Sequence, residues 1–442
     1  MFLKKQKFPP KNAKEFGWLL LNWISSLGLA STLLIYLTLL TLLGTLNQME
    51  DGLYDSVSKY FSGFFFYDKL FGMPLILPGA YLILTILCIN MGFGTILRIR
   101  KNPKNIALYG VHFSIIFLIF AGFIEDQYKV EGSMALFPGN TSSEYVSYHN
   151  WQLEVYEIGE SGGATDAFVI PVENFRQAKQ GSERTFFTDE LPFELVVQKY
   201  ARNCFIVPDG SKGTEKIEMK PVDGYLIFDR DPEEESEANL PGVHLRFLPK
   251  GEDGEEKETL VWAHIPYHLD NQFLQPIPHV FEMDGRNWGV QMVKERIKLP
   301  FEVRLDEFVI EKYPGTQKAR KFESAITKIE QGMEPVPHKV GMNEPMRDRG
   351  IVMFQSKWGP QDGGPDTVHY SVFAVVDNPS DRWPEYAMYM ILVFILIHFI
   401  SRLVIHIQKQ TKKKPALPIP SPSAAADGKV ATEIAEEITK NK

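Results

Sequence analysis

The sequence predicts an α-helical membrane protein with four transmembrane helices and one large, mainly antiparallel β domain. Three observations predict it. Apolar runs long enough to cross a bilayer lie at about 24–46, 79–97, 106–124 and 384–407. A polar, charged stretch of domain size, 125–383, separates the third from the fourth. Within it, short segments alternate apolar and polar residues with period two, divided by turn clusters such as PDG, RDP, MDG and PQDGG.

Residues 1–124 form an N-terminal membrane region. The chain starts with Lys4, Lys5, Lys7, Lys11 and Lys14. A cationic start can precede a signal peptide, but the run that follows has the length of a span and no small-residue cleavage pattern. It reads as an uncleaved transmembrane helix with its N-terminal side in the cytoplasm. Residues 47–77 mix Glu50, Asp51, Asp55 and Asp68 with the aromatic run Tyr60–Tyr67. This segment is too short to span, and it is expected as a helix on the outer membrane surface or as a packed loop. The second span ends in RIRKNPK, a basic cytoplasmic loop, so the third span returns outward and 125–383 is extracytoplasmic. KQTKKK follows the fourth span. Both termini are therefore expected in the cytoplasm of a cell bearing this protein in its inner or cytoplasmic membrane. Residues 408–442 read as a basic, then disordered tail rich in Pro, Ser and Ala.

Strand signals in the β domain include PFELVVQKY, VHLRFLP, GVQMVKERI, FEVRLDEFVIEKY and TVHYSVFAVV, which point to a sandwich or curved sheets. LPFE occurs twice, from Leu191 and from Leu299, each time opening a strand-like pattern. Two related β units or chance similarity both account for it. There are two cysteines, Cys88 in an apolar run and Cys204 in the β domain, so no pairing between them is expected. No CxxC, CxxCH, nucleotide loop or HExxH is present, which excludes dithiol, c-type haem-acceptor and zincin chemistry for this chain. The acidic run Asp231–Asn239 reads as a solvated loop.

The stretch with chemistry in it is the third span, Ile106–Ile124. It contains no Asp, Glu, Lys or Arg and one imidazole, His112. As a helix it covers about 28 Å, with His112 roughly 9 Å from its inner end. An ionisable side chain inside a membrane needs a partner and is a functional-site hypothesis by default. His398 in the fourth span lies roughly 12 Å from the inner end, a height compatible with His112. Its alternative is a hydrogen bond to another helix, and a partner chain could equally supply an imidazole at that height. His406 suits a headgroup contact. His149, His244, His264, His268, His279, His338 and His369 show no metal-like spacing except His264–His268, and Pro266 argues against the helix that pair would need.

SSLGLASTLL and LLGTLNQ within 25–48, YGVHFSIIFLIFAGF at the third span, LPFEVRLDEFVIEKYPG at 299–315, MNEPMRDRGIVMFQSKWG at 342–359 and the closing VFAVVDNP occur here in order. In these the chain resembles the ResB (CcsB-type) family of System II cytochrome c biogenesis. The resemblance implies a subunit of a haem ligase, working with a CcsA/ResC-type membrane partner to bind haem b, move it outward and attach it to apocytochrome c. It implies His112 as a ligand of the haem iron, with His398 the internal candidate for the second position. The seven tryptophans are scattered, so the tryptophan-rich haem-handling loop is expected on the partner. Other readings stay open: a non-enzymatic scaffold or receptor with a β binding domain, or a b-type haem protein in quinone-linked electron transfer. The partners expected are this membrane protein, apocytochrome c, haem and the lipid bilayer, with no nucleic acid.

Overall fold

A computed structural model describes residues 12–70, 73–159, 166–179, 181–251, 254–263, 278–316, 318–341, 343–360 and 367–413. The helices among them are α1 Ala13–Ile24, α2 Leu27–Tyr60, α3 Ala80–Arg98, α4 Ile106–Tyr128 and α5 Trp383–Lys413. The last four are long and apolar enough to cross a membrane. The chain forms two compact units, one of Met1–Ser25, Met91–Leu118 and Glu385–Lys442, the other of Ser26–Asn90 and Ile119–Pro384.

The helix boundaries follow from capping. Asn12 Oδ1 accepts from Glu15 N at 2.9 Å and starts α1. Ser26 is extended and its Oγ accepts from Leu29 N at 3.1 Å, which starts a second helix. The first span therefore begins at Leu27 rather than near Ile24, with a separate amphipathic helix before it. In the first unit, Arg98 donates from Nε to Ser25 Oγ and from Nη2 to Asn22 O, satisfying the C-terminal end of α1.

The segment 47–77 holds a helix, as one expectation had it, but only over its first part. Its first part continues α2 as far as Tyr60, across a bend at Gly52, where φ is +74°. Its second part is a hairpin, β1 Phe65–Leu70 paired with β2 Met73–Pro78. The aromatic run so splits at Ser62 and Gly63, the point where helix-compatible residues give way to Phe and Tyr, which favour strands. At the other end of the chain α5 runs on to Lys413, beyond the expected end at 407, so Lys409, Lys412 and Lys413 form its last turns. The tail expected to be disordered from Pro415 lies outside the described residues, as do His264 and His268.

The β strands of the second unit are β3 Val130–Leu136, β4 Thr141–Ile158, β5 Phe168–Pro171, β6 Arg184–Phe186, β7 Phe193–Ala201, β8 Cys204–Pro208, β9 Tyr225–Asp229, β10 Gly242–Pro249, β11 Lys257–Trp262, β12 His279–Met283, β13 Arg286–Lys312, β14 Ala319–Ile329, β15 Val336–Gly341, β16 Met346–Asp348, β17 Ile351–Gly359 and β18 Tyr370–Asp377. They pair antiparallel, as the alternation predicts. A large sheet runs β15-β14-β13-β4-β3-β18-β17-β16, with β12 on β13 and β5 on β4. A smaller sheet runs β11-β10-β7-β6, and β8 pairs β9.

Two cores result. In the first, Trp288, Val290 and Met292 of β13 and Leu153 and Val155 of β4 meet Phe193 and Leu195 of β7 and Leu245 and Phe247 of β10. This is one sheet face packed on another. In the second, Leu299, Phe301, Val303 and Leu305 meet Met134, Ile326, Val340, Met353 and Phe373. Here the large sheet curls over itself. β13 serves both cores because its pairing with β4 breaks between Lys298 and Val303, around Pro300, which cannot donate to a ladder. The two LPFE segments play parallel roles: Leu191 and Phe193 are buried in the first core, Leu299 and Phe301 in the second. Both cysteines are free, and Cys204 is buried in a small cluster with Ala201 and Ile227.

Candidate functional site

In the first unit α4 buries a stripe of small residues. Ala107 and Ser114 are buried, and Ser114 Oγ donates to Gly110 O at 2.8 Å. Gly110 is where α5 comes closest: a Cβ there would lie 2.4 Å from the Phe394 ring. Only glycine admits that approach, the close-packing device of membrane helices.

His112 is two residues past Gly110, so about 200° round the helix from this contact. It stands off the packed stripe, half-buried. Its Nδ1 lies 2.7 Å from Leu108 O. A carbonyl oxygen can only accept, so Nδ1 carries the hydrogen and Nε2 carries the lone pair. The main chain thus fixes the tautomer and points the basic nitrogen away from its own helix. That is the arrangement a metal-ligating imidazole has, with the second nitrogen donating to a carbonyl. A nitrogen held in this way could hold a metal or a cofactor's metal.

His398 lies one turn beyond Phe394 on α5, and so on the side that meets α4. Its Nδ1 is buried with no hydrogen-bond partner among the described residues. No hydrogen bond or ring contact joins His112 to His398. Helix geometry places them on different sides of α4: one turned into the α4–α5 contact, the other turned out of it.

The second unit contains a cleft of about 1230 Å³ that sequence reasoning missed. Its walls come from α2 beyond Gly52, the end of α4, the start of β3, the middle of β4 and the acidic run 234–237. That run is largely exposed, as a solvated loop would be, but its backbone also packs on α2. A Cβ on Gly52 would fall 1.7 Å from Glu234 O, so the bend of α2 is pressed directly on this backbone. Ser236 Oγ and His149 Nδ1 are 2.7 Å apart, and the His149 ring stacks on Tyr54 with centroids 3.9 Å apart. His149 Nε2 faces Glu131 Oε1 at 3.9 Å. Burial pushes the His149 imidazole below its ordinary value, against the raising effect of Glu131, so the ring is neutral at pH 7. Carboxylates of Glu125, Asp126, Glu131, Glu234, Glu235 and Glu237 face Lys129 and Lys357 across the walls. The cleft therefore favours cationic ligands. The sequence signal that could have found it was Asp51-Gly52, a turn dipeptide inside a helical pattern. His149 itself carries no spacing signal, because its partners Tyr54, Glu131 and Ser236 come from three distant segments. Among the described residues no group of three or more His, Cys, Asp or Glu side chains is arranged to hold a metal ion.

Residues 281–389 match the family model described as the ResB-like family. The matched stretch runs from within β12 through β18 into the first turns of α5, and so takes in most of the second β core. It agrees with the resemblance carried by the motifs at 299–315 and 342–359. No curated protein matches the chain.

Proposed function

From a ResB-like segment behind a helical membrane region, we propose that this chain is the membrane subunit of a System II cytochrome c synthetase, binding haem and helping to deliver it for attachment to apocytochrome c. The observation that carries the reading is His112: an imidazole in an apolar helix, its Nδ1 tied to Leu108 O and its Nε2 turned off the packed face. Haem supplies a Lewis-acidic iron whose axial positions take imidazole nitrogens. The role of the chain is to hold that nitrogen at a fixed depth and exclude water around it. Because His112 faces away from the α4–α5 contact, the second ligand fits best on a CcsA/ResC-type partner helix laid against the outward face of α4. Exposed Phe113 and Phe120 flank that face and offer it apolar area. His398 is the second choice for this position; its unpaired Nδ1 would be satisfied by a small turn of α5.

The orientation that suits delivery has the β domain extracytoplasmic in the inner or cytoplasmic membrane. Its basis is the placement of Arg98, Arg100, Lys101 and Lys104 between the second and third spans, and of Lys409, Lys412 and Lys413 after the fourth. The acidic cleft then faces the compartment where an apocytochrome would arrive.

The test is His112→Ala in cells that depend on this chain for cytochrome c. The expected result is normal membrane insertion, loss of haem from the purified complex and loss of the cytochrome c activity stain. Unchanged haem and normal cytochromes would reduce His112 to a packing residue and remove the reading's main support. Helical packing alone would make the substitution cost only about 1 kcal/mol.

A further inference from the structure

A second, smaller cavity of about 420 Å³ lies beside the cleft in the same unit, lined by Tyr54, Asp55, Ser58, Arg176, Tyr200 and Arg202. Its chemistry is opposite to that of the cleft. Arg202 is held by Asp55, with Nη2 2.9 Å from Oδ1 and 2.7 Å from Oδ2. That pairing engages Nη2 alone and leaves Nε and Nη1 of Arg202 outside the ion pair. Arg176 has no carboxylate partner among the described residues, and its charge bears on both Tyr54 and Tyr200. The Tyr200 ring is anchored edge-on against Phe175, at 5.7 Å between centroids. Burial holds its hydroxyl up at about 12, so it stays a donor at neutral pH. Asp55 neutralises one guanidinium and leaves the other, so the cavity keeps a positive charge among hydroxyl donors.

We infer that this cavity binds an oxyanion of the phosphate class, held by Arg176 and the open edge of Arg202 with the hydroxyls of Tyr54, Ser58 and Tyr200 as further donors. Guanidinium groups suit phosphate because their fork presents paired N–H donors. Two sources offer that chemistry, an anionic phospholipid headgroup and free phosphate. The position of the cavity favours the headgroup. Tyr54, Asp55 and Ser58 stand on α2 a few residues past its apolar run and beyond the bend at Gly52, on the polar side of that run's end, where lipid phosphates lie. The site does not depend on the haem reading, since none of its residues lies near His112 in the sequence or shares its unit.

The test uses the full-length protein purified in detergent. Native mass spectrometry would follow binding of phosphatidylglycerol and of phosphatidylcholine, with and without inorganic phosphate as competitor. The wild type is expected to prefer phosphatidylglycerol. Arg176→Gln should weaken that binding about tenfold, the loss of one charge-assisted hydrogen-bonding partner, and leave phosphatidylcholine unchanged. Arg176 is exposed, so the variant should fold; melting temperature checks this, and Tyr200→Phe gives an independent, smaller loss. Displacement of phosphatidylglycerol by inorganic phosphate supports the headgroup source. Binding of inorganic phosphate sensitive to Arg176→Gln, without lipid preference, supports the oxyanion and assigns it to a soluble source. Equal lipid binding in wild type and Arg176→Gln, with no phosphate binding, overturns the site.

Discussion

Two imidazoles in this chain are held in place by different means. His149 is neutral because burial outweighs the nearby Glu131 carboxylate, and Ser236 and Tyr54 lock its ring. His112 has its tautomer set by a single carbonyl four residues back. Lys294 shows the same competition for a cation. Its ammonium donates to Tyr148 O and lies 4.3 Å from the Trp151 ring centroid, yet burial pushes it down to about 8. An unfolded lysine holds its proton to about 10.4. Between these values the unfolded chain binds more protons, so stability should rise as pH goes up through the window and be flat in this respect below it. Cys204, whose thiol burial pushes up, acts in the opposite sense over the same range, so the readout is the difference between the wild type and Lys294→Met. Melting in detergent between pH 7.5 and pH 9.5 (about two units, below tyrosine ionisation) should favour the wild type over the variant increasingly as pH rises. A difference that does not change with pH contradicts the assignment. Cys204 is the opposite case, a free and buried thiol. Burial pushes it up to about 12. Cys204→Ser is expected to cost about 1–3 kcal/mol for a buried hydroxyl while cytochrome c maturation persists; loss of maturation at normal protein level would revive a redox role.

At the scale of elements, the bends matter more than the straight parts. The four long helices were legible from composition because a span needs a long apolar run and little else. The break at Ser25–Ser26 was legible in principle as a capping signal, but it sits inside a continuous apolar pattern that outweighs it by eye. The Gly52 bend had a local signal in Asp51-Gly52, but its partner, the distant Glu234 backbone, had none. With φ +74° and ψ 174°, Gly52 occupies a region essentially closed to other residues. Gly52→Ala should therefore cost about 1–3 kcal/mol for strain alone, with more for the clash. It should lower the melting temperature and open the α2–acidic-run contact to protease. An unchanged melting temperature would mean that the bend is not enforced by this contact. In the β domain, the alternation gave the strands but not their partners. β13 reads as two strands, because Pro300 interrupts the pattern, and only the structure joins them into one element serving two cores.

Over the whole molecule, the division into a helical region and an antiparallel β domain was legible because the two solvents impose different patterns on the chain. The cleft was not, because it is assembled from segments between about 50 and 360 that share no motif. Reporter fusions at Phe16, Gly254 and Lys414 test the arrangement: export-dependent reporters should be active at Gly254 alone, and activity at Lys414 or silence at Gly254 would exclude it. Whether His112 holds the iron is tested most directly by the visible spectrum of the purified membrane complex carrying His112→Gly, taken with and without imidazole. A ligand lost from an iron leaves a hole of its own shape, and free imidazole can enter it with the same lone pair. The predicted result is a haem-depleted complex without imidazole, a recovered Soret band with it, and partial return of cytochrome c maturation. Full haem occupancy without imidazole, or no response to it in a complex that is otherwise intact, would contradict the assignment of His112 to the iron.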